Sequence, residues 1–149
     1  MYKNIIKTAQ KRGKKNSLHY SGALIPSEAD YLLNNTKNSY LVDVRTHAEL
    51  TFVGYIPNSI HIEWQSYTTG TINVNFLKIL EIEIPDLNSL IMFICRSGHR
   101  SHEAATHCFE NNFKNIYNVL EGFEGDKNDN SQRNKVNGWK LRGLDWKQQ

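Results

Sequence analysis

Short apolar stretches bounded by polar and turn-forming residues recur along this chain of 149 residues. Leu90-Ile91-Met92-Phe93-Ile94 is the most hydrophobic short run, and a run of this length and character reads as a buried parallel strand. Tyr40 to Val44, Ser59 to Ile62 and Asn115 to Leu120 read as further strands. Between them the apolar spacing widens to that of helices. Pro26-Ser27-Glu28-Ala29-Asp30 opens one, with Ser27 and Asp30 spaced as a capping box. Ala29, Leu32 and Leu33 give it an inward face, and Asn34-Asn35 ends it. Thr71 to Ile84 places Phe76, Leu77, Leu80 and Ile84 at helical spacing, and Pro85 stops the segment. A third helix is expected from Ser101 to about Asn111. The alternation predicts an α/β fold, a small parallel β-sheet flanked by helices on both faces. Ligands gather at the carboxyl ends of the strands in such sheets. Asp43 and Cys95 both sit at strand ends, so both are expected on one rim.

Composition agrees with a packed domain: 39% of residues are hydrophobic and 11% aromatic, which excludes a disordered chain. No apolar stretch is long enough to cross a bilayer. The basic start, Met1-Tyr2-Lys3-Asn4-Ile5-Ile6-Lys7, lacks the apolar segment and cleavage site of a signal peptide. The two cysteines do not make a disulfide framework, so a reducing, cytoplasmic setting is expected. Charge is uneven. Residues 1–20 hold Lys3, Lys7, Lys11, Arg12, Lys14 and Lys15 and no acid, leaving twelve basic and fifteen acidic groups for the remainder. Residues 1–20 therefore read as a basic, mobile arm on a mildly acidic body. Nothing aromatic is interleaved among the lysines, which argues against single-strand nucleic-acid binding.

The most informative chemistry lies where the Leu90–Ile94 strand meets its helix, at Cys95-Arg96-Ser97-Gly98-His99-Arg100. A cysteine ending an apolar strand is ordinarily core, but two arginines and a histidine within five positions have no place in one. Unpaired N–H groups and the positive end of the helix dipole favour an anion at such a turn. Cys95 is accordingly expected as a thiolate nucleophile. Gly98 permits the positive φ of an anion nest. Ser97 and Ser101 add hydroxyl donors, and Ser101 is placed to cap the helix. Asp43 either accepts from loop N–H groups or pairs with an arginine. Because a carboxylate aimed at Cys95 would oppose a thiolate, its role is supporting. Arg45 and Glu49 are spaced to pair across a helical turn.

Other residues read as structure. Trp64, Tyr67, Phe123 and Trp139 are core or pocket wall, with Trp64 near the pocket border, and Cys108 is core. His102-Glu103 and His107 do not form a metal motif, since the histidines are five apart and face different ways. The segment from Asp126 lacks the glycine and glutamate of a calcium loop.

Four segments in order resemble the rhodanese family of sulfurtransferases. Cys95 to Ser101 is similar to its active-site loop. Leu41-Val42-Asp43-Val44-Arg45-Thr46-His47-Ala48-Glu49-Leu50 resembles the strand ending in Asp-Val-Arg. Gly54-Tyr55-Ile56-Pro57-Asn58-Ser59-Ile60-His61-Ile62 resembles the Gly-His-Ile-Pro-Gly-Ala segment, with Tyr55 and Asn58 departing from the usual His and Gly. Gly138-Trp139-Lys140 with Gly143-Leu144 resembles the carboxyl-terminal end.

The resemblance covers roughly residues 21–147 and implies a single rhodanese-like domain over residues 21–149. It implies a sulfur relay in which Cys95 becomes a persulfide. Arg96 and Arg100 would attract a small sulfur anion such as thiosulfate, and cyanide, a thiol or a protein would accept the sulfur. No metal or organic cofactor is implied. Two alternatives differ in class. One is a partner-binding or sulfur-carrier module with its basic arm as the docking element. The other is a phosphatase or arsenate reductase. Those enzymes use a Cys-x5-Arg loop, one residue longer than the Cys95–Arg100 spacing.

Overall fold

The computed structural model describes residues 1–149. In chain order the elements are α1 (Tyr2–Lys15), β1 (Gly22–Leu24), α2 (Pro26–Asn35), β2 (Ser39–Asp43), α3 (His47–Phe52), β3 (Ile60–His61), α4 (Phe76–Glu83), β4 (Leu90–Ile94), α5 (His99–Glu110) and β5 (Ile116–Val119). The strands form one sheet in the order β1-β5-β4-β2-β3, with every pairing parallel. The apolar Leu90–Ile94 run is thus the middle strand, buried at every position. A strand with no solvent face needs no alternation, which is why its sequence shows none. Asp43 is level with Ile94 in the β2–β4 register. Asp43 and Cys95 therefore share a rim, as expected from the strand ends.

Helices cover both faces. On one, Phe76 and Leu80 of α4 and Ala104, Ala105 and Cys108 of α5 pack with Val42, Phe93 and Ile116. On the other, Ile5 and Ala9 of α1 and Ala29 and Leu32 of α2 pack with Leu41, Met92 and Tyr117. Burial pushes the Cys108 thiol up to about 12, with Glu81 adding to the effect.

Four expectations are corrected. The first concerns residues 1–20, which do not stand apart from the body as a solvated arm. Tyr2–Lys15 is a helix whose Ile5, Ala9 and Gly13 are buried. It lies so close to β1 that a Cβ on Gly22 would collide with the Ala9 carbonyl. Arg12 donates to both carboxylate oxygens of Glu28, at 2.6 and 3.0 Å, and to the Ala23 carbonyl. The second concerns α2, which is capped at Ile25, two residues earlier than Ser27. Pro26 takes the first turn, where no N–H is needed, and Glu28 accepts from the Ile25 N–H at 3.0 Å.

The third correction is to α4, which starts at Phe76 and not at Thr71. Before it, Ile72 bridges Gln65 in antiparallel fashion, and the Asn73 side chain accepts from Asn75 N–H while donating to the Glu63 carbonyl. An asparagine that bonds nearby backbone in this way competes with the helix. The fourth is to α5, which begins at His99 because Gly98, at φ 115°, occupies the N-cap. Ser101 is therefore inside the first turn and does not cap.

Candidate active site

The Cys95 sulfur sits at the amino end of α5, where the first N–H groups of a helix have no intrahelical acceptor. The Gly98 N–H donates to Sγ at 3.1 Å, and the Ser101 hydroxyl lies 3.2 Å from it. Cys95 is 1% exposed and Ser101 fully buried. Gly98 is required by conformation and not by room, since nothing lies within 4 Å of where its Cβ would be.

The loop's carbonyls are drawn the other way. Phe123 N–H donates to the Cys95 carbonyl at 2.8 Å, and Glu124 and Gly125 N–H donate to that of Arg96 at 3.0 and 3.2 Å. Carbonyl oxygens, which would repel an anionic sulfur, are thereby turned toward the segment after β5. This approach depends on Gly122: a Cβ there would lie 2.5 Å from the Arg96 carbonyl group and 2.6 Å from the Cys95 oxygen. The beginning of the 122–138 stretch, which carries no motif of its own, is thus a brace beneath the loop.

The two arginines are not equivalent. Arg100 donates to both oxygens of Glu49, at 2.6 and 3.0 Å. Glu49 also accepts from the N–H and hydroxyl of Thr46. Burial alone would raise the Glu49 carboxyl, but Arg100 and Thr46 outweigh it and hold the group at about 2. Burial would likewise weaken the charge on Arg100, and Glu49, Cys95 and Asp43 together reverse that effect and raise its pKa. The expected Arg45–Glu49 pair does not form. Arg96 is exposed and joins no ion pair. His99 is also exposed, and it lines the opposite flank of the loop with Ser97.

Asp43 and Arg45 pair with one another, both fully buried. Arg45 Nε donates to both Asp43 oxygens and Nη2 to one at 2.7 Å, and the Arg45 N–H donates to Asp43 as well. Arg45 also donates to the Gly54 carbonyl, and its guanidinium lies 4.1 Å over the Phe123 ring. The pair supports the floor under the loop brace. Removing one partner alone strands a buried charge, at a cost of about 3–5 kcal/mol.

A cleft of about 420 Å³ opens beside the loop, lined among others by Thr46, Glu49, Tyr67, Arg96, Arg100 and Glu124. A larger one of about 660 Å³ lies along the outer face of α5 near Trp64 and His107 and includes no residue of the Cys95 loop. Chemistry favours the smaller cleft. Trp64 is 5% exposed, donates to Glu103 at 2.9 Å, and borders the larger cleft and not the one beside the Cys95 loop. Phe123 and Trp139 are core, whereas Tyr67 is 76% exposed at the mouth of the smaller cleft.

Thus Cys95, Gly98 and Ser101 come together at the sulfur, Arg96 and Arg100 line the cleft, and Asp43 and Arg45 lie beneath. Sequence reasoning missed the clasp of Glu49 on Arg100 and the brace of Gly122. The Thr46-x-x-Glu49 spacing is a capping-box signal that would have assigned Glu49 away from Arg45. The close approach at Gly122 has no local signal.

A family model described as a Rhodanese-like domain matches residues 26–129. An uncharacterized protein of Rickettsia conorii is 38% identical over 122 residues, spanning 78% of this chain and 89% of that one. The crystal structure of Rv0390 from M. tuberculosis matches with a TM-score of 0.79 and 38% identity, covering 87% of this chain and 99% of that chain. A polysulfide-sulfur transferase homodimer from Wolinella succinogenes matches with a TM-score of 0.61 over 99% of this chain and 88% of that one. At 20% identity this last likeness is one of fold.

Proposed function

The chain belongs to the rhodanese-like domain family, and from that premise we propose that it is a sulfurtransferase carrying sulfane sulfur on Cys95. One observation carries the reading: Sγ accepts from the Gly98 N–H at 3.1 Å at the positive end of α5, with the Ser101 hydroxyl 3.2 Å away. Donors fixed around a sulfur stabilise negative charge on it without reorganising during reaction.

The relay has two displacements. The Cys95 thiolate attacks the outer sulfur of a donor such as thiosulfate. The S–S bond of the donor breaks, sulfite leaves with the electron pair, and Cys95 holds a persulfide. Cyanide or a thiolate then attacks the outer persulfide sulfur, and the cysteine thiolate returns. Neither displacement needs a metal or an organic cofactor. Exposed Arg96 meets the anionic donor at the mouth of the cleft. Arg100, already clasped by Glu49, holds the loop in place and contributes less free charge. The Cys-x4-Arg spacing of Cys95 and Arg100, one residue shorter than the phosphatase loop, favours a sulfur atom over a tetrahedral oxyanion at the centre of the loop.

The test is the intact mass of the protein after thiosulfate and then after cyanide, beside Cys95→Ser. Gain of one sulfur atom, removed by cyanide and absent from the variant, is the expected result. A folded wild-type protein that gains no sulfur from thiosulfate or polysulfide ends this reading.

A further inference from the structure

β5 reads Ile116-Tyr117-Asn118-Val119, and its one asparagine is 4% exposed between the neighbouring strands, paired in register with Ala23 and Phe93. Asparagine is depleted in strands, and a buried amide with an unpartnered oxygen is destabilising. Asn118 has such an oxygen: Oδ1 is buried with no hydrogen-bond partner. Its Nδ2, however, donates to the Gly98 carbonyl at 3.2 Å.

Gly98 is the pivot of the reactive loop. Its N–H points at the Cys95 sulfur, while its carbonyl accepts from Asn118 and from His102 N–H, each at 3.2 Å. Glycine is the residue with the freest backbone, and nothing lies within 4 Å of its missing Cβ to limit rotation. No Cβ contact enforces φ 115° at this residue. Two hydrogen bonds reach its carbonyl, and Asn118 supplies the one that comes from outside α5.

We propose that Asn118 is a positioning residue for Cys95, holding the Gly98 carbonyl so that the Gly98 N–H stays aimed at the sulfur. The proposal deepens, and rests on, the reading of Cys95 as the sulfur-carrying nucleophile. A mid-strand polar residue that serves packing would be improved by an apolar replacement, whereas one that aims a loop would not.

Asn118→Ala and Asn118→Leu separate the two. Neither can donate; alanine removes the orphan oxygen, and leucine keeps the branched outline of the side chain at a larger volume. Melting temperatures equal to or above wild type are expected for at least one of them. In ¹H–¹⁵N spectra the Gly98 amide proton should move from its wild-type position toward that seen in Cys95→Ala, where no sulfur accepts from it. Alkylation of Cys95 by iodoacetamide at pH 7, followed by intact mass, should slow about tenfold, the scale of one hydrogen bond to a charged group. A Gly98 amide that keeps its wild-type position, or a wild-type alkylation rate in a folded variant, overturns the proposal. Alkylation requires no sulfur transfer. If wild type takes no sulfur while both variants alkylate slowly, the sulfurtransferase reading fails and the role of Asn118 stands.

Discussion

Glu49 clasps Arg100 across 51 residues of sequence through hydrogen bonds of 2.6 and 3.0 Å, joining the start of α3 to the first turn of α5. Paired arginines near a reactive cysteine read, in sequence, as two anion-binding charges. The clasp leaves one of them, Arg96, free of any ion pair.

Arg96→Ala and Arg100→Ala should therefore fail differently. Arg96→Ala is expected to raise the donor KM about tenfold, the value of one partly solvated charged contact, with little change in melting temperature. Arg100→Ala leaves Glu49 partly buried and unpaired, and is expected to lower stability by about 1–3 kcal/mol. Steady-state kinetics beside thermal unfolding would distinguish them. Equal melting temperatures would show the clasp to be energetically idle.

The Glu49 carboxyl sits at about 2, below the ordinary 4.5. A depressed carboxyl stabilises the fold fully above its unfolded value and loses that contribution as pH falls toward its folded value. Wild type should thus exceed Glu49→Gln by about 1–2 kcal/mol at pH 7, after allowance for partial exposure. The gap should narrow between pH 4.5 and 2. Urea unfolding of both proteins at pH 7, 4 and 3 measures it, and a gap independent of pH would contradict the assignment.

Gly122→Ala should disable the loop without touching a reactive group. A Cβ there meets the Cys95 and Arg96 carbonyls from 2.5 Å, and the position is held at φ 68°. Strain of this kind costs on the order of 1–3 kcal/mol, and the brace must shift to relieve it. Sulfur loading at least tenfold slower is expected, with the Cys95 mass change as the readout. Loading at the wild-type rate would remove the brace from the account.

Deletion of residues 1–16 should destabilise the protein and not merely strip charge from it. Ile5, Ala9 and Gly13 are buried against the sheet, and Arg12 is paired to Glu28. Loss of the two larger apolar contacts and this pair is expected to cost at least about 3 kcal/mol. Docking through the exposed lysines is better examined with Lys3, Lys7 and Lys11 changed to Gln. That variant should fold as wild type does, and salt-dependent changes in transfer to a protein acceptor would report the contact.

β4 was read to the residue because it is a continuous apolar run with no solvent face, and β2 and β5 were legible because apolar residues dominate each. The Cys95 loop was legible because its chemistry is packed into seven consecutive positions. β1 was not marked, since Gly22-Ala23-Leu24 is too short to show a period. α1 was misread because its buried face is narrow: Ile5, Ala9 and Gly13 include two small residues, and lysines dominate the composition. Partners distant in sequence were invisible for a different reason. Arg100 had several acids within plausible reach, and nothing local chooses Glu49. Asn118 and Gly122 act on backbone atoms of the loop, and backbone atoms carry no letter in a sequence.

The brace at Gly122 is also made later in synthesis than the loop it supports. The Cys95 and Arg96 carbonyls find their partners only in residues 123–125, which leave the ribosome about thirty residues after the cysteine itself. A nascent chain that already contains Cys95 therefore lacks the strut that turns those carbonyls away from its sulfur. The brace is completed late, once β5 and the turn after it are in place, so an unfinished chain carries the Cys95 thiol in an unbraced loop.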